Sequence, residues 1–162
     1  MRTIIIGVSK PKTFKIGAEL LKFWMNADFS HAYIKFNISE INREVVYHAA
    51  HGMVHFKNYE HFLEDNVAVH EFELEITDEL YYKLLDKCID LAGVKYAVSE
   101  LVTIFLYDLL NNIGIKITTY NGKGYICSEL VAEFLEELLH KKFNKPRFLI
   151  TPNDIFLKLK ET

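Results

Sequence analysis

Between Val67 and Ile76 the chain alternates. Ala68, His70, Phe72, Leu74 and Ile76 project one way, and Val67, Val69, Glu71, Glu73 and Glu75 the other. A segment with a period of two can bury a single side only as a sheet strand, because successive strand side chains point to opposite faces. The stretches 30–36 and 44–50 show the same alternation, and 4–8 reads as a short buried strand ahead of a turn at 9–12. The three glutamates of the 67–76 strand share one face, and aligned like charges are expected to mark a solvated surface. Strands therefore dominate the first half of the chain.

Elsewhere the period changes to that of a helix. Ile16, Leu20, Leu21 and Trp24 predict a helix over 16–25, and a short helical turn is expected at 58–64. Thr77 is placed to cap a helix with Asp78 and Glu79 in its first turn and Gly93 at its end. Its inward stripe is Tyr81, Leu84, Leu85, Cys88 and Ala92. An apolar helix is expected over 97–112, then a strand at 115–119 and a turn at 121–124. A helix from Cys127 to about His140 places Leu130, Val131, Phe134, Leu135, Leu138 and Leu139 on one side. Glu129, Glu133, Glu136 and Glu137 lie largely on the other. The last helix opens at Thr151-Pro152-Asn153-Asp154, with Thr as N-cap, Pro at the first helical position and Asp in the first turn. No repeat, low-complexity segment or linker interrupts the chain. The expectation is a single α+β domain over 1–162, a small antiparallel sheet packed against helices.

Composition narrows the function classes. With 162 residues, half of them hydrophobic, the chain can bury one core of its own. A net charge of −3 and the lack of any Lys/Arg run exclude a nucleic-acid partner recruited by a basic surface. Two cysteines are too few for a disulfide scaffold, so reduced thiols in a cytosolic setting are expected. The apolar run at 4–8 lacks the length and cleavage site of a signal peptide. The apolar stretch 97–110 contains Glu100 and Asp108 and is too short to span a bilayer, so no integral membrane segment is expected.

Cys127 follows a Gly-rich stretch and opens the helix with the strongest amphipathic pattern. A helix N-terminus favours the thiolate through its dipole and its backbone N–H groups that lack helical partners. A structural thiol would occupy the same position, since Cys127 shares a face with Leu130, Val131 and Phe134. Cys88, in the middle of a core stripe, is expected to be inert. A cysteine nucleophile needs a base within reach and a polar group to orient that base.

A hairpin centred on Ser39-Glu40 would place His31 opposite His48, with Tyr33 opposite Val46, Ile34 opposite Val45, and Lys35 paired with Glu44. Two histidines on one sheet face offer His31 as general base and His48 as the group that fixes its tautomer. Backbone N–H groups at the start of the Cys127 helix would contribute to an oxyanion hole. Tyr33, Tyr96 and Tyr125 are potential donors nearby, although core packing accounts for each. A competing constellation is His48, His51 and His55, whose spacing suits metal ligation on a helix. The strand-like 45–47 and the Gly at 52 break that face, and neither His-Glu-x-x-His nor Cys-x-x-Cys occurs.

The order of motifs adds a further indication. Ser30-His31-Ala32-Tyr33-Ile34-Lys35-Phe36 is followed by Val45-Val46-Tyr47-His48-Ala49, Gly93-Val94-Lys95-Tyr96, Tyr125-Ile126-Cys127-Ser128-Glu129-Leu130-Val131 and Ile150-Thr151-Pro152-Asn153-Asp154. This series resembles the circularly permuted papain-fold hydrolases of the NlpC-like superfamily, a group that includes lecithin retinol acyltransferase and phage-encoded proteins. The resemblance implies Cys127 as nucleophile, His31 as base and His48 as third residue, in a fold that sets the nucleophile at a helix N-terminus. It implies a thioester intermediate and a peptide, peptidoglycan or lipid acyl substrate, without metal or other cofactor. The chain departs from the group in having no clear substrate-specificity loop and no export signal. A cytoplasmic location is expected, the host's if the chain is phage-encoded. The expectation from another class is a non-catalytic module that binds a ligand in the same groove.

Overall fold

The computed structural model describes residues 1–50, 52–95, 127–137 and 139–161. His51, the expected helix at 97–112, the strand at 115–119, the turn at 121–124, Tyr96, Tyr125 and Leu138 lie outside the described residues. The described chain is α+β. Five antiparallel strands form one sheet: β1 (Arg2–Pro11), β2 (His31–Ile38), β3 (Arg43–Ala50), β4 (Met53–Asn58) and β5 (Asn66–Ile76), in the order β4-β3-β2-β1-β5. The helices are α1 (Ile16–Met25), α2 (Tyr59–Asp65), α3 (Asp78–Asp90), α4 (Cys127–Glu137) and α5 (Pro152–Lys160).

One sheet face is apolar. Ile4, Ile6 and Val8 of β1, Ala32, Ile34 and Phe36 of β2, and Tyr47 and Ala49 of β3 are buried there. They pack with Tyr81, Leu84 and Cys88 of α3, Leu130, Val131, Phe134 and Leu135 of α4, and Ile155 and Leu159 of α5. Burying each large side chain contributes roughly 1.5–3 kcal/mol, so this layer is the main source of stability. The other face is covered by α2, whose Phe62 packs with Tyr33 and Val46. The helix ends follow local chemistry. Thr77 accepts from Leu80 N–H at 3.2 Å, and Asn58 accepts from Glu60 N–H at 2.8 Å. Thr151 and Asp154 form a reciprocal capping box.

Several expectations need correction. The segment 9–11 is not a turn, because β1 continues to Pro11 alongside β5. Proline is tolerated there because β2 pairing has already ended at Ser9↔His31, which leaves one side of the strand without a ladder to feed. A β-bulge between Val8 and Ser9 gives β5 one extra residue. Alternation breaks at that point, and Val69 joins the apolar layer that Phe72 and Leu74 also contact. The β2–β3 turn is longer than a Ser-Glu hairpin. Ser39–Ile41 form a 3₁₀ turn and Asn42 takes the left-handed conformation at φ 49°, so Ile38 pairs with Arg43. The register moves by two: Lys35 faces Val46 and Phe36 faces Val45. A shift of two keeps every side chain on its expected face.

Strand β4 was not foreseen as a separate element. It closes on β3 through the pair Ala50↔Met53, helped by Gly52 at φ 84°. Val54 and Phe56 continue the apolar layer, and residues 93–95 run along this edge through Val54 N–H→Val94 O at 2.9 Å and Gly93 N–H→Val54 O at 2.7 Å. Glu133 of α4, whose spacing places it largely on the side away from the apolar stripe, is not exposed. It is buried and ion-paired to Lys87 of α3 at 2.9 Å, with Arg147 at 3.6 Å. Exposed Ile16 departs from the stripe expected for α1, while the side chains of Leu20, Leu21 and Trp24 lie outside the described set.

Candidate functional site

Odd positions of β2 and even positions of β3 face α2, so His31 and His48 share that side of the sheet. The ladder through Ile34↔Tyr47 makes them diagonal rather than directly opposed neighbours. Their rings meet nonetheless. His31 Nε2 lies 3.0 Å from His48 Nδ1, with ring planes at 76°. Phe62 of α2 closes over the pair, its ring centroid 5.2 Å from that of His48 and 6.5 Å from that of His31. His48 is only 4% exposed. The third ring is His55 of β4, the ladder partner of His48, at 4.6 Å between centroids. The competing set His48, His51 and His55 does not form a helical face, as the strand-like pattern indicated, because strands β3 and β4 carry two of its members. Among the described residues no group of three or more His, Cys, Asp or Glu side chains is arranged to hold a metal ion.

Burial sets the charge of this cluster. Desolvation, aided by the positive fields of His55 and Lys15, pushes the His31 pKa from 6.5 down to about 4. His31 is therefore a neutral imidazole at neutral pH. Its bond to His48 requires one ring to donate and the other to accept. If His31 donates from Nε2, its Nδ1 carries a lone pair that can take a proton from elsewhere.

The ladder between β2 and β3 stops at Ile34↔Tyr47. Beyond it, residues 31–33 pair with β1, and residues 48–50 pair with β4. The sheet splits at this point, and the His31–His48 bond bridges the split. Ala32 and Ala49, one on each flank, belong to the same apolar layer as Cys127.

Cys127 is the first residue of α4 and is 3% exposed. Its neighbour Ser128 is also buried, and its Oγ donates to Ile150 O, which ties the start of α4 to the segment ahead of α5. Cys88 sits within α3 in the same layer, where burial drives its thiol pKa well above the ordinary range. Cys127 packs on the α4 side of the sheet, whereas the imidazole pair is on the α2 side.

A second polar group on the α2 face was not foreseen. Glu71 accepts from Tyr33 Oη at 2.7 Å and Tyr59 Oη at 2.9 Å, and Lys35 Nζ reaches its other oxygen at 3.2 Å. Lys35 also lies 3.7 Å from Glu44 and 4.0 Å above the Tyr59 ring. The expected Lys35–Glu44 pair is present, although the two residues are diagonal rather than opposed. Burial raises the pKa of Glu71, but the bonds from Tyr33, Tyr59 and Lys35 outweigh it and hold the carboxyl below its usual range. Burial and Glu71 push Tyr59 up to about 12. Glu71 is thus a network centre on an exposed strand face, where Glu71, Glu73 and Glu75 all meet solvent as expected. The one sequence signal was Gly7, a glycine within a strand. It lies between Tyr33 and Glu71 in the ladder, and a Cβ there would collide with the Tyr33 ring that reaches across to Glu71.

The chain matches no protein-family model, and it matches no curated protein.

Proposed function

We propose that the protein is a cysteine hydrolase or acyltransferase of the permuted papain-like type, with Cys127 as nucleophile, His31 as base and His48 as orienting residue. The observation that carries this reading is the 3.0 Å bond between His31 Nε2 and His48 Nδ1 on a partly buried, neutral imidazole. With His31 as the donor, such a bond leaves the Nδ1 lone pair of His31 for a thiol proton. This reading requires the Cys127 thiol, on the α4 side, to reach that nitrogen through the split in the sheet.

In this mechanism His31 Nδ1 takes the Cys127 proton as Sγ attacks the carbonyl carbon of an amide or ester. The new C–S bond gives a tetrahedral oxyanion, stabilised by backbone N–H groups at the start of α4. Its collapse breaks the bond to the leaving amine or alcohol, which receives the proton from His31. Water, or a second acceptor, then attacks the thioester with His31 again as base. A low His31 pKa favours proton transfer during attack over a resting thiolate–imidazolium pair. Amide substrates are preferred as the first class to test, with lipid acyl esters second.

The test is competitive alkylation. Limiting iodoacetamide is expected to label Cys127 at least about tenfold faster than Cys88, whose thiol is suppressed by burial. His31→Ala should slow labelling of Cys127 at neutral pH and leave Cys88 unchanged. The alternative is a binding module in which Cys127 is a core thiol, favoured by its 3% exposure. Equally slow labelling of both cysteines would establish that alternative and remove the enzyme reading.

A further inference from the structure

Helix α1 and its lead-in present the most exposed apolar side chains that the structure describes outside the N-terminal Met1. Phe14 and Ile16 are each 77% exposed and Phe23 is 86% exposed. Ile16 and Phe23 are seven residues apart on α1 and so share a helix face. Exposing two phenylalanines and an isoleucine on one short segment is costly in water, and such patches mark interaction surfaces. The charge around them is unlike the rest of the chain. From Lys10 to Lys22 there are four lysines against a single glutamate, in a protein whose net charge is −3. Lys12 and Lys15 are exposed beside Phe14, while Lys22 pairs with Glu19.

The segment is anchored at both ends. Lys12 N–H donates to Asp65 O at 2.8 Å, joining the lead-in to the end of α2. At the other end Asn26 closes the helix in the left-handed conformation, and Met25 is buried. The apolar face is therefore held outward by the fold rather than carried on a loose tail.

We infer that α1 and residues 12–16 form a docking face for an anionic lipid bilayer, with Phe14, Ile16 and Phe23 entering the interface and Lys12 and Lys15 meeting the headgroups. Charge complementarity selects this occupant. A second copy of an acidic chain would bring a similar lysine-rich patch against this one, whereas an anionic surface is attracted to it. Binding would be peripheral, since among the described residues no helix is long and apolar enough to cross a membrane. Lys12 and Lys15 lie at the end of the molecule where α2 covers the histidine pair, so docking would bring His31 close to the bilayer surface. The inference does not depend on Cys127 chemistry.

Flotation of the full chain with phosphatidylcholine vesicles, with or without a quarter phosphatidylserine, tests the inference. The protein should float with the anionic vesicles, stay behind with the neutral ones, and be released by raised salt. Phe14→Ser with Phe23→Ser should lower the partition coefficient by about tenfold or more. Lys12→Glu with Lys15→Glu should abolish the preference for anionic lipid. All four side chains are exposed, so an unchanged circular dichroism spectrum and melting midpoint should accompany both variants. Cys127→Ala should float like the unaltered chain, which separates this result from the enzymatic reading. No flotation with anionic vesicles, or flotation indifferent to both variants, would overturn the inference. A dimer that the phenylalanine variants dissociate, without vesicle binding, would assign the face to a second copy and overturn it as well.

Discussion

The two faces of the sheet use the same strands to opposite ends. On the α3–α4–α5 side Ile4, Ile6 and Val8 of β1 and Ala32, Ile34 and Phe36 of β2 are buried in an apolar layer, and stability there depends on volume and shape. On the α2 side β2 contributes His31, Tyr33 and Lys35, held by His48, Glu71 and Tyr59. A buried polar layer is stable only when its members satisfy one another, so each side chain constrains its neighbours. The apolar face tolerates conservative replacement, while the polar face specifies particular atoms at particular distances. Chemistry that depends on a tautomer belongs on the second kind of face.

The largest effect should come from breaking the apolar layer. Phe36 is fully buried and stacks edge-on against Tyr81 of α3 at 5.7 Å, so Phe36→Ala should cost about 3–5 kcal/mol in urea unfolding. That loss should be nearly independent of pH, since no titratable group is removed. The polar face should behave in the opposite way. His31 has a folded pKa of about 4 against 6.5 when unfolded, so the unfolded chain takes up this proton first as pH falls. The stabilisation is fully present above pH 6.5 and is lost as pH drops from 6.5 toward 4, by up to about 3 kcal/mol. Unfolding measured across that window should show the loss, and His31→Leu should flatten it. An unchanged slope in the variant would mean that other groups carry the acid sensitivity.

The smallest expected effect sharpens the comparison from within the polar layer. Glu71→Gln keeps an acceptor for Tyr33 and Tyr59 but takes from Lys35 its nearer carboxylate. With 28% of the Glu71 side chain exposed, water offsets part of the loss, and about 1–2 kcal/mol is expected by chemical denaturation. Lys35 should then lean on Glu44 alone, so added salt should weaken the variant more than the parent.

Much of this arrangement was legible from the chain. Period-two alternation located β2, β3 and β5, and the residue types at 77 and 151 located two helix starts through capping chemistry. The sharing of one face by His31 and His48 survived an error in register, because the error was an even number of residues. Other features were hidden for identifiable reasons. The 3₁₀ turn at Ser39–Ile41 depends on Asn42 adopting a positive φ, which its residue type permits but does not demand. The bulge at Val8/Ser9 leaves alternation in the sequence intact while reversing its meaning at Val69. The network at Glu71 was hidden because its partners come from β2 and α2, distant along the chain.

The sequence by itself determined most of the described strands and helices, though not β4, and which residues could be nucleophile and base. These follow from local periodicity and residue chemistry, which require no knowledge of neighbours. Only the tertiary structure decided the diagonal meeting of the His31 and His48 rings, the split between β2 and β3, the burial that keeps His31 neutral, and the outward turn of Phe14 and Phe23. Those depend on distances between segments far apart in the chain and on the water excluded between them. Neither is written in any single stretch of residues.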